Sequence, residues 1–330
     1  AGLLADGRIP SLRLAIGGRG ALQIKIGDFY RQLGRGTLLS VRKVDEAGVD
    51  VSLRGAEVGL GLGEHRLGLF AGHTNTANLD PISQKHIEDK NDAVAGLDTR
   101  WRLGDSVQLG FFGVYLKPEE QVLTTAKEKD FSAGAGASAE IQLPGDWLSF
   151  YLEADFQQRR TAGVQKQGKA AYLAADLFFT DWTFLLEGLF LDDLVQRGSA
   201  NSALGVRFDY NQPPTLERID QEVATSTDVQ GTRLRMERLL LDGDLILHVN
   251  GTFRRNEPGA ADELKSLHAY GGFELSYGDG DSRLAASGGY RDERQDNGRG
   301  RSMLHAEADW IQALGSRWSL HISSSNELRS

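Results

Sequence analysis

LSFYLEADFQ, residues 148–157, decides how this chain folds. Leu148, Phe150, Leu152, Ala154 and Phe156 share one face of an extended strand, while Glu153, Asp155 and Gln157 share the other. The polar face carries full charges through its middle, not only at its ends. A soluble β-sandwich would turn the apolar face inward and place the charges in water. A strand with a charged face of this kind also fits the wall of a membrane barrel, with lipid on the apolar side and a watery lumen on the other.

The same alternation recurs on both sides of that stretch. Leu22, Ile24 and Ile26 oppose Gln23 and Lys25; Ala95, Leu97, Trp101 and Leu103 oppose Asp98, Arg100 and Arg102. Phe131, the alternate alanines, Ile141 and Leu143 oppose Ser132, Ser138, Glu140 and Gln142. Further on, Leu245, Leu247, Val249 and Phe253 oppose His248, Asn250 and Arg254, and Leu304, Ala306, Ala308 and Trp310 oppose His305, Glu307 and Asp309. Segments 49–62 and 232–242 slip phase once each, near Gly55 and Arg238, and read as β-bulges.

Tight polar turns and long polar excursions separate these strands. The turns fall at 18–20, 63–64, 104–105, 144–146, 180–181, 242–243, 278–281 and 313–316; the excursions run roughly 29–48, 74–92, 117–130, 158–168, 195–231, 255–265 and 292–300. Trp101, Trp147, Trp182, Trp310 and Trp318 each lie within a few residues of a tight turn, as an aromatic belt at the membrane–water boundary requires. The expectation is an all-β fold: an antiparallel transmembrane β-barrel of about 16 strands over residues 1–330, with short turns on one rim and long loops on the other. The first tight turn follows the first strand, which puts both chain ends on the long-loop rim. One additional strand at each end, giving about 18, would restore the usual parity. Segment 202–210 also resembles a strand, but a crossing there would move every later tight turn to the wrong rim. The whole of 195–231 is therefore expected to fold into the mouth or lumen.

Composition agrees. The 330 residues include 40 glycines and no cysteine, and the formal charge is −9. Glycines inside strand-like runs such as 59–63 would weaken helices but are tolerated in curved sheets. The acidic balance speaks against a general nucleic-acid binder, and the lack of cysteine removes thiol chemistry and disulfides. The apolar run at 182–191 is broken by Glu187, so no transmembrane helix is expected. AGLLADGRIP shows no signal peptide, so the chain reads as mature or trimmed.

The segment IGDFYRQLGRGTLLSVRK at 26–43, followed by VDVSLRGAEVGL at 49–60, resembles an uncharacterised group of large bacterial outer-membrane β-barrels. In that group a G-D-F-Y segment leads through a glycine-rich stretch to an L-R-G strand. YNQPPTLER at 210–218 is similar to a proline-containing loop of the same group. The resemblance implies a barrel in the outer membrane of a Gram-negative bacterium. It implies no catalytic residue.

The candidate functional residues follow from the barrel reading. Lys25, Asp98, Arg100, Arg102, Glu140, Glu153, Asp155, Arg233, Arg235, Glu274 and Arg283 are expected on the lumen wall, where mixed charges set ion selectivity or pair across strands. Segment 29–48 combines Arg31, Arg35, Arg42 and Lys43 with Leu38, Leu39 and Val41. That apolar content suits a segment packed inside as a constriction, its cations meeting the acidic wall. His305, Glu307 and Asp309, with His321 across the 313–316 turn, could face one another, but along one strand the three span about 13 Å, which favours a polar wall over a metal site. The glycine-rich runs do not open helices, GDGD is too short for a calcium loop, and His73 and His86 lack a nucleophilic partner. No enzyme, cofactor or metal is expected. The expected function is a channel for ions or small polar solutes, the alternative a plugged barrel that anchors an envelope assembly. Outer-membrane lipid is the expected partner, with other envelope proteins in the second case.

Overall fold

The computed structural model describes residues 12–16, 21–44, 49–76, 78–79, 86–87, 92–119, 130–200, 207–216, 227–261, 263–278, 280–295, 298, 300–315 and 318–330. The turn at 18–20 and most of the excursions at 74–92 and 117–130 lie outside these residues.

Seventeen strands share one sheet, of which Lys43–Val44 has only two residues. The other sixteen are labelled β1 to β16. They are Leu12–Ile16, Leu22–Phe29, Val49–Leu62 and His65–Thr76 (β1–β4), then Ala93–Leu103, Val107–Lys117, Phe131–Gln142 and Leu148–Thr161 (β5–β8). Val164–Phe178, Trp182–Asp192, Val229–Leu240 and Leu245–Asn256 follow (β9–β12), and Leu264–Tyr277, Ser282–Gln295, Gly300–Ala313 and Ser319–Arg329 complete the series (β13–β16). Every ladder is antiparallel between sequence neighbours, as in β2 with β3 (Lys25 opposite Glu57) and β13 with β14 (Leu275 opposite Leu284). The chain forms two compact units, one of Ala1–Glu140, Leu152–Ala171 and Leu191–Pro214, the other of Ile141–Tyr151, Tyr172–Phe190 and Thr215–Ser330.

The faces are inverted relative to a soluble protein. On β8, Leu152 and Phe156 are 42% and 44% exposed, whereas Glu153 and Asp155 are 0% and 7% exposed. Val249, Phe253, Leu267, Leu304 and Ile322 likewise stand exposed, while Asn250, Thr252, Arg254 and His268 are buried. Such an outer surface is stable only against lipid.

Three sequence expectations change. The polar stretch 158–168 is not a loop: β8 and β9 continue to a two-residue turn at Ala162 and Gly163, both at positive φ (54° and 78°). That backbone suits the right-handed twist of the strands, but Ala is an uncommon residue in it, which hid the turn. The excursions at 255–265 and 292–300 shrink in the same way, because β12 to β15 extend past the apolar band. Neither bulge exists: the ladders of β3 and β11 run without a break through Gly55 and Arg238. Arg238 faces outward and lies over the Trp182 ring at 4.8 Å, a cation–π contact at a strand end. On β3 the apparent slip arises because both rows change character, the inward one from Glu57 to Leu53 and Val51 and the outward one from Leu60 and Val58 to Arg54 and Ser52.

Candidate functional site

That change of character marks an apolar cluster on the polar face of the first unit. Phe29, Val51, Leu53, Phe70, Val94, Phe112, Val114 and Leu116 all point inward from β2 to β6 and are buried. Against them pack Leu33, Leu38, Leu39 and Val41, from a short hairpin of Arg31–Leu33 paired with Leu39–Val41. Burial of these side chains at about 25 cal/mol per Å² is what holds the hairpin inside the wall. Its tip turns at Gly34 and Gly36, both with positive φ.

A second inner segment, described at residues 194–200 and 207–212, lies on the first. It contains the pair Arg197–Ala200 and Arg207–Asp209. Backbone hydrogen bonds join the two segments: Ser40 N–H donates to the Tyr210 carbonyl at 2.7 Å, and Gln212 N–H to the Gly36 carbonyl at 2.8 Å. The wall holds the second segment through two buried side chains. Gln157 donates to the Val195 carbonyl at 2.7 Å and accepts from Val195 N–H at 3.0 Å. Asp92, fully buried, accepts from Ser199 N–H (2.9 Å), Ser199 Oγ (2.5 Å), Tyr210 Oη (2.9 Å) and Glu119 N–H (2.9 Å).

The expected constriction residues divide between these contacts. Arg31 donates to Glu57 at 2.7 Å and to Asp98, and its guanidinium lies 5.2 Å from the Phe70 ring centre. Arg35 N–H donates to Glu153 at 2.8 Å, and Arg42 Nε donates to Gln212 Oε1 at 2.7 Å. Lys43 lies in the two-residue strand, and its side chain is outside the described residues.

The wall residues all belong to the polar face. Lys25 lies 5.8 Å from the Phe29 ring centre, and Glu140 accepts from Gln108 at 3.2 Å. Arg100 stands opposite Arg66 in the ladder, both exposed, and Arg102 is exposed too. Asp155 is buried, and neither of its carboxylate oxygens meets a hydrogen-bond donor among the described residues. In the second unit Arg233 joins Glu187 (3.0 Å) and Asn250 (2.7 Å), with Tyr172 Oη donating to Glu187 at 2.7 Å. Arg235 pairs with Glu237, and Arg283 with Glu274 at 2.9 Å.

The histidine–carboxylate set separates. His321 reaches Asp309 at 2.5 Å, but His305 turns away to His268, Nε2 to Nε2 at 3.0 Å. Among the described residues no group of three or more His, Asp or Glu is placed to hold a metal ion. All five tryptophans sit at tight-turn ends; Trp310 Nε1 donates to Tyr277 Oη at 2.7 Å, and Trp101 stacks on His65 at 4.9 Å. Asp92, Ser199 and Tyr210 were not singled out from the sequence. No spacing links residues more than a hundred positions apart, so no pattern could have paired them.

No family model and no curated protein matches this chain. Among solved structures, the outer membrane protein opdK of Pseudomonas aeruginosa is similar with a TM-score of 0.54 at 14% identity, covering 97% of this chain and 79% of that one. OccK2 (OpdF) of the same organism gives 0.50 at 13% identity, covering 97% and 80%. The fold is that of an outer-membrane β-barrel. The polar face is therefore the lumen face, and the exposed apolar face meets lipid.

Proposed function

We propose that this protein is an outer-membrane channel for ions or small polar solutes. In this reading the 31–41 hairpin and the segment described at 194–200 and 207–212 form its constriction. The observation that carries the reading is the combination of a charged, inward-facing wall with inner segments fastened to it through Glu57, Asp98, Gln157 and Asp92. A chain that needed only to be inserted in lipid would gain nothing from burying Glu187 and half-burying Glu57, Asp98 and Arg233 on one face, since burying charge is costly even when it is paired. Lined with both signs of charge, such a lumen discriminates by local pairing and by constriction width. Arg31, held between Glu57 and Asp98, and Arg42, exposed beside Gln212, are the cations assigned to that constriction. Outer-membrane lipid is the surrounding partner, and no nucleic acid or cofactor enters the proposal.

The likeness to opdK, an outer membrane protein that has also been solved with vanillate, supports a passage for small polar solutes. The reading is tested by refolding the full chain into a planar bilayer under a salt gradient. Steady unitary currents with a non-zero reversal potential are expected. An inserted, folded protein that passes no current would overturn the channel and favour the plugged scaffold, for which the apolar cluster under the hairpin is the supporting observation.

A further inference from the structure

His268 on β13 and His305 on β15 are not strand neighbours; β14 runs between them. Two strand spacings amount to about 9.5 Å, too far for imidazoles that stand upright on the sheet. Their Nε2 atoms nevertheless lie 3.0 Å apart, with ring centres at 5.2 Å. Gly289 of β14 makes this meeting possible. It stands opposite His305 in the ladder, and a Cβ there would lie 2.6 Å from His305 Nε2 and 2.4 Å from Tyr270 Cβ. The two rings therefore lean toward each other across a strand whose side chain is missing at that one place.

We propose that His268 and His305 chelate a divalent transition-metal ion, Cu²⁺ ahead of the others, on the lumen wall. Two nitrogens 3.0 Å apart, each about 2.0–2.1 Å from a shared metal, subtend roughly 95° at the metal. That is the edge of a square or octahedral ligand set, as Cu²⁺ prefers, whereas a tetrahedral zinc ion would need about 3.3 Å. Water completes the coordination from the lumen side.

The charges around the pair allow a cation. Arg291, opposite His268, is held by Glu293 at 2.6 Å, and Arg329 by Glu327 at 2.6 Å, with Glu327 directly opposite His305. Glu307 follows two residues along β15 on the same face. From β12, the buried Arg254 stands opposite Ser266, one inward position from His268, and His248 meets Tyr270 edge-on at 6.3 Å, with Tyr270 5.0 Å from His268. Glu293 is shared with Arg301 at 2.5 Å, so Arg291 is only partly neutralised, while Glu327 and Glu307 supply negative charge beside His305.

The test uses the full chain without a polyhistidine tag, folded in detergent and titrated with CuCl₂. Electron paramagnetic resonance at one equivalent of Cu²⁺ should give an axial spectrum with hyperfine splitting from two imidazole nitrogens. His305→Gln should weaken binding about tenfold or more and leave at most one nitrogen coupling. Gly289→Ala, which keeps both imidazoles but places a methyl group between them, should do the same, whereas His321→Ala should not. No stoichiometric binding, or binding unchanged in both H305Q and G289A, would leave the pair as a plain hydrogen bond and overturn the proposal. The site rests on the channel reading only for its effect on current. If micromolar Cu²⁺ binds as described but the bilayer is silent throughout, the site stands and the channel falls. If current flows but spectra show no two-nitrogen site, the reverse holds.

Discussion

Asp92→Ala should release the second inner segment from the wall. The carboxylate is fully buried and accepts four hydrogen bonds, two from Ser199 and one each from Tyr210 and Glu119. Truncation leaves four donors without their acceptor in a dry site. A buried unsatisfied donor costs about 1–3 kcal/mol, and bonds to a charged acceptor lie at the upper end. Relaxation and entering water recover part of this, so about 4 kcal/mol is a fair expectation for the docked state. That is close to a thousandfold shift toward the undocked segment. Asp92→Asn keeps one acceptor oxygen and should fall between the two. Single-channel recording reads the effect as larger or noisier open currents, and limited proteolysis with mass spectrometry reads it as new cleavage within 194–216. The wall ladders are untouched, so the variant should remain folded by its heat-dependent mobility in gels. A folded Asp92→Ala protein with wild-type currents and wild-type protease resistance would refute the assignment of Asp92 as the latch.

Four further outcomes follow from the same geometry. Arg31→Ala leaves Glu57 and Asp98 facing each other without their shared cation, and should loosen the hairpin and shift the reversal potential; an unchanged potential would remove Arg31 from the constriction. Gly34→Val should displace the hairpin tip, because φ is +52° and a Cβ would lie 2.3 Å from the Glu153 carboxylate; protease resistance at 31–41 equal to wild type would contradict this. Val249→Arg, on the lipid face, should cost about 2–4 kcal/mol in urea titrations of folding into bilayers, while Ser287→Arg on the lumen face should cost little; equal losses would undo the assignment of faces. Glu263 is pulled down to about 2 by its hydrogen bonds from Arg255 (2.7 Å) and Gly259 N–H (2.8 Å). Its folded value is depressed, so its stabilisation of the 257–263 turn is present above its ordinary range near 4.5 and is lost as pH falls toward 2. Hydrogen exchange at Gly259 should therefore stay slow at pH 4; early acceleration, above pH 4.5, would show that the carboxylate is not held.

The strands were legible because each charged face survives through the middle of its strand. Residues 93–103 are read from the sequence and found in the structure with the same limits, since Asp98, Arg100 and Arg102 alternate with Leu97, Trp101 and Leu103. Turn chemistry was legible where glycine announces it, at Gly63, Gly104 and Gly145, and illegible at Ala162, where an ordinary residue takes a left-handed backbone. Leu38, Leu39 and Val41, which have no reason to sit in a solvated loop, are indeed buried. What ties their segment down was not legible. Arg31 and Arg42 were expected to meet acidic wall residues; Arg31 does, while Arg42 instead meets the amide of Gln212, on a segment 170 positions away in sequence.

The misread slip at Gly55 holds a rule that could have located those contacts. A lumen-facing row stays polar where water lies against it and turns apolar where protein does. In β3 the inward row passes from Glu57 through Gly55 to Leu53 and Val51, and in β6 it ends on Phe112, Val114 and Leu116. In β12 and β14 the inward rows stay polar to the same ends, at Arg254 and at Arg291 and Glu293. A bulge would shift every residue beyond it to the opposite face, outward row included. Here both rows change chemistry, the outward one from Leu60, Val58 and Ala56 to Arg54 and Ser52, so the pattern mimics a bulge although the ladder is unbroken. With the register continuous, the polar-to-apolar change of the inward row marks where a segment rests against the wall. In this chain it places the resting segment on β2 to β6, beside the hairpin that carries Arg31.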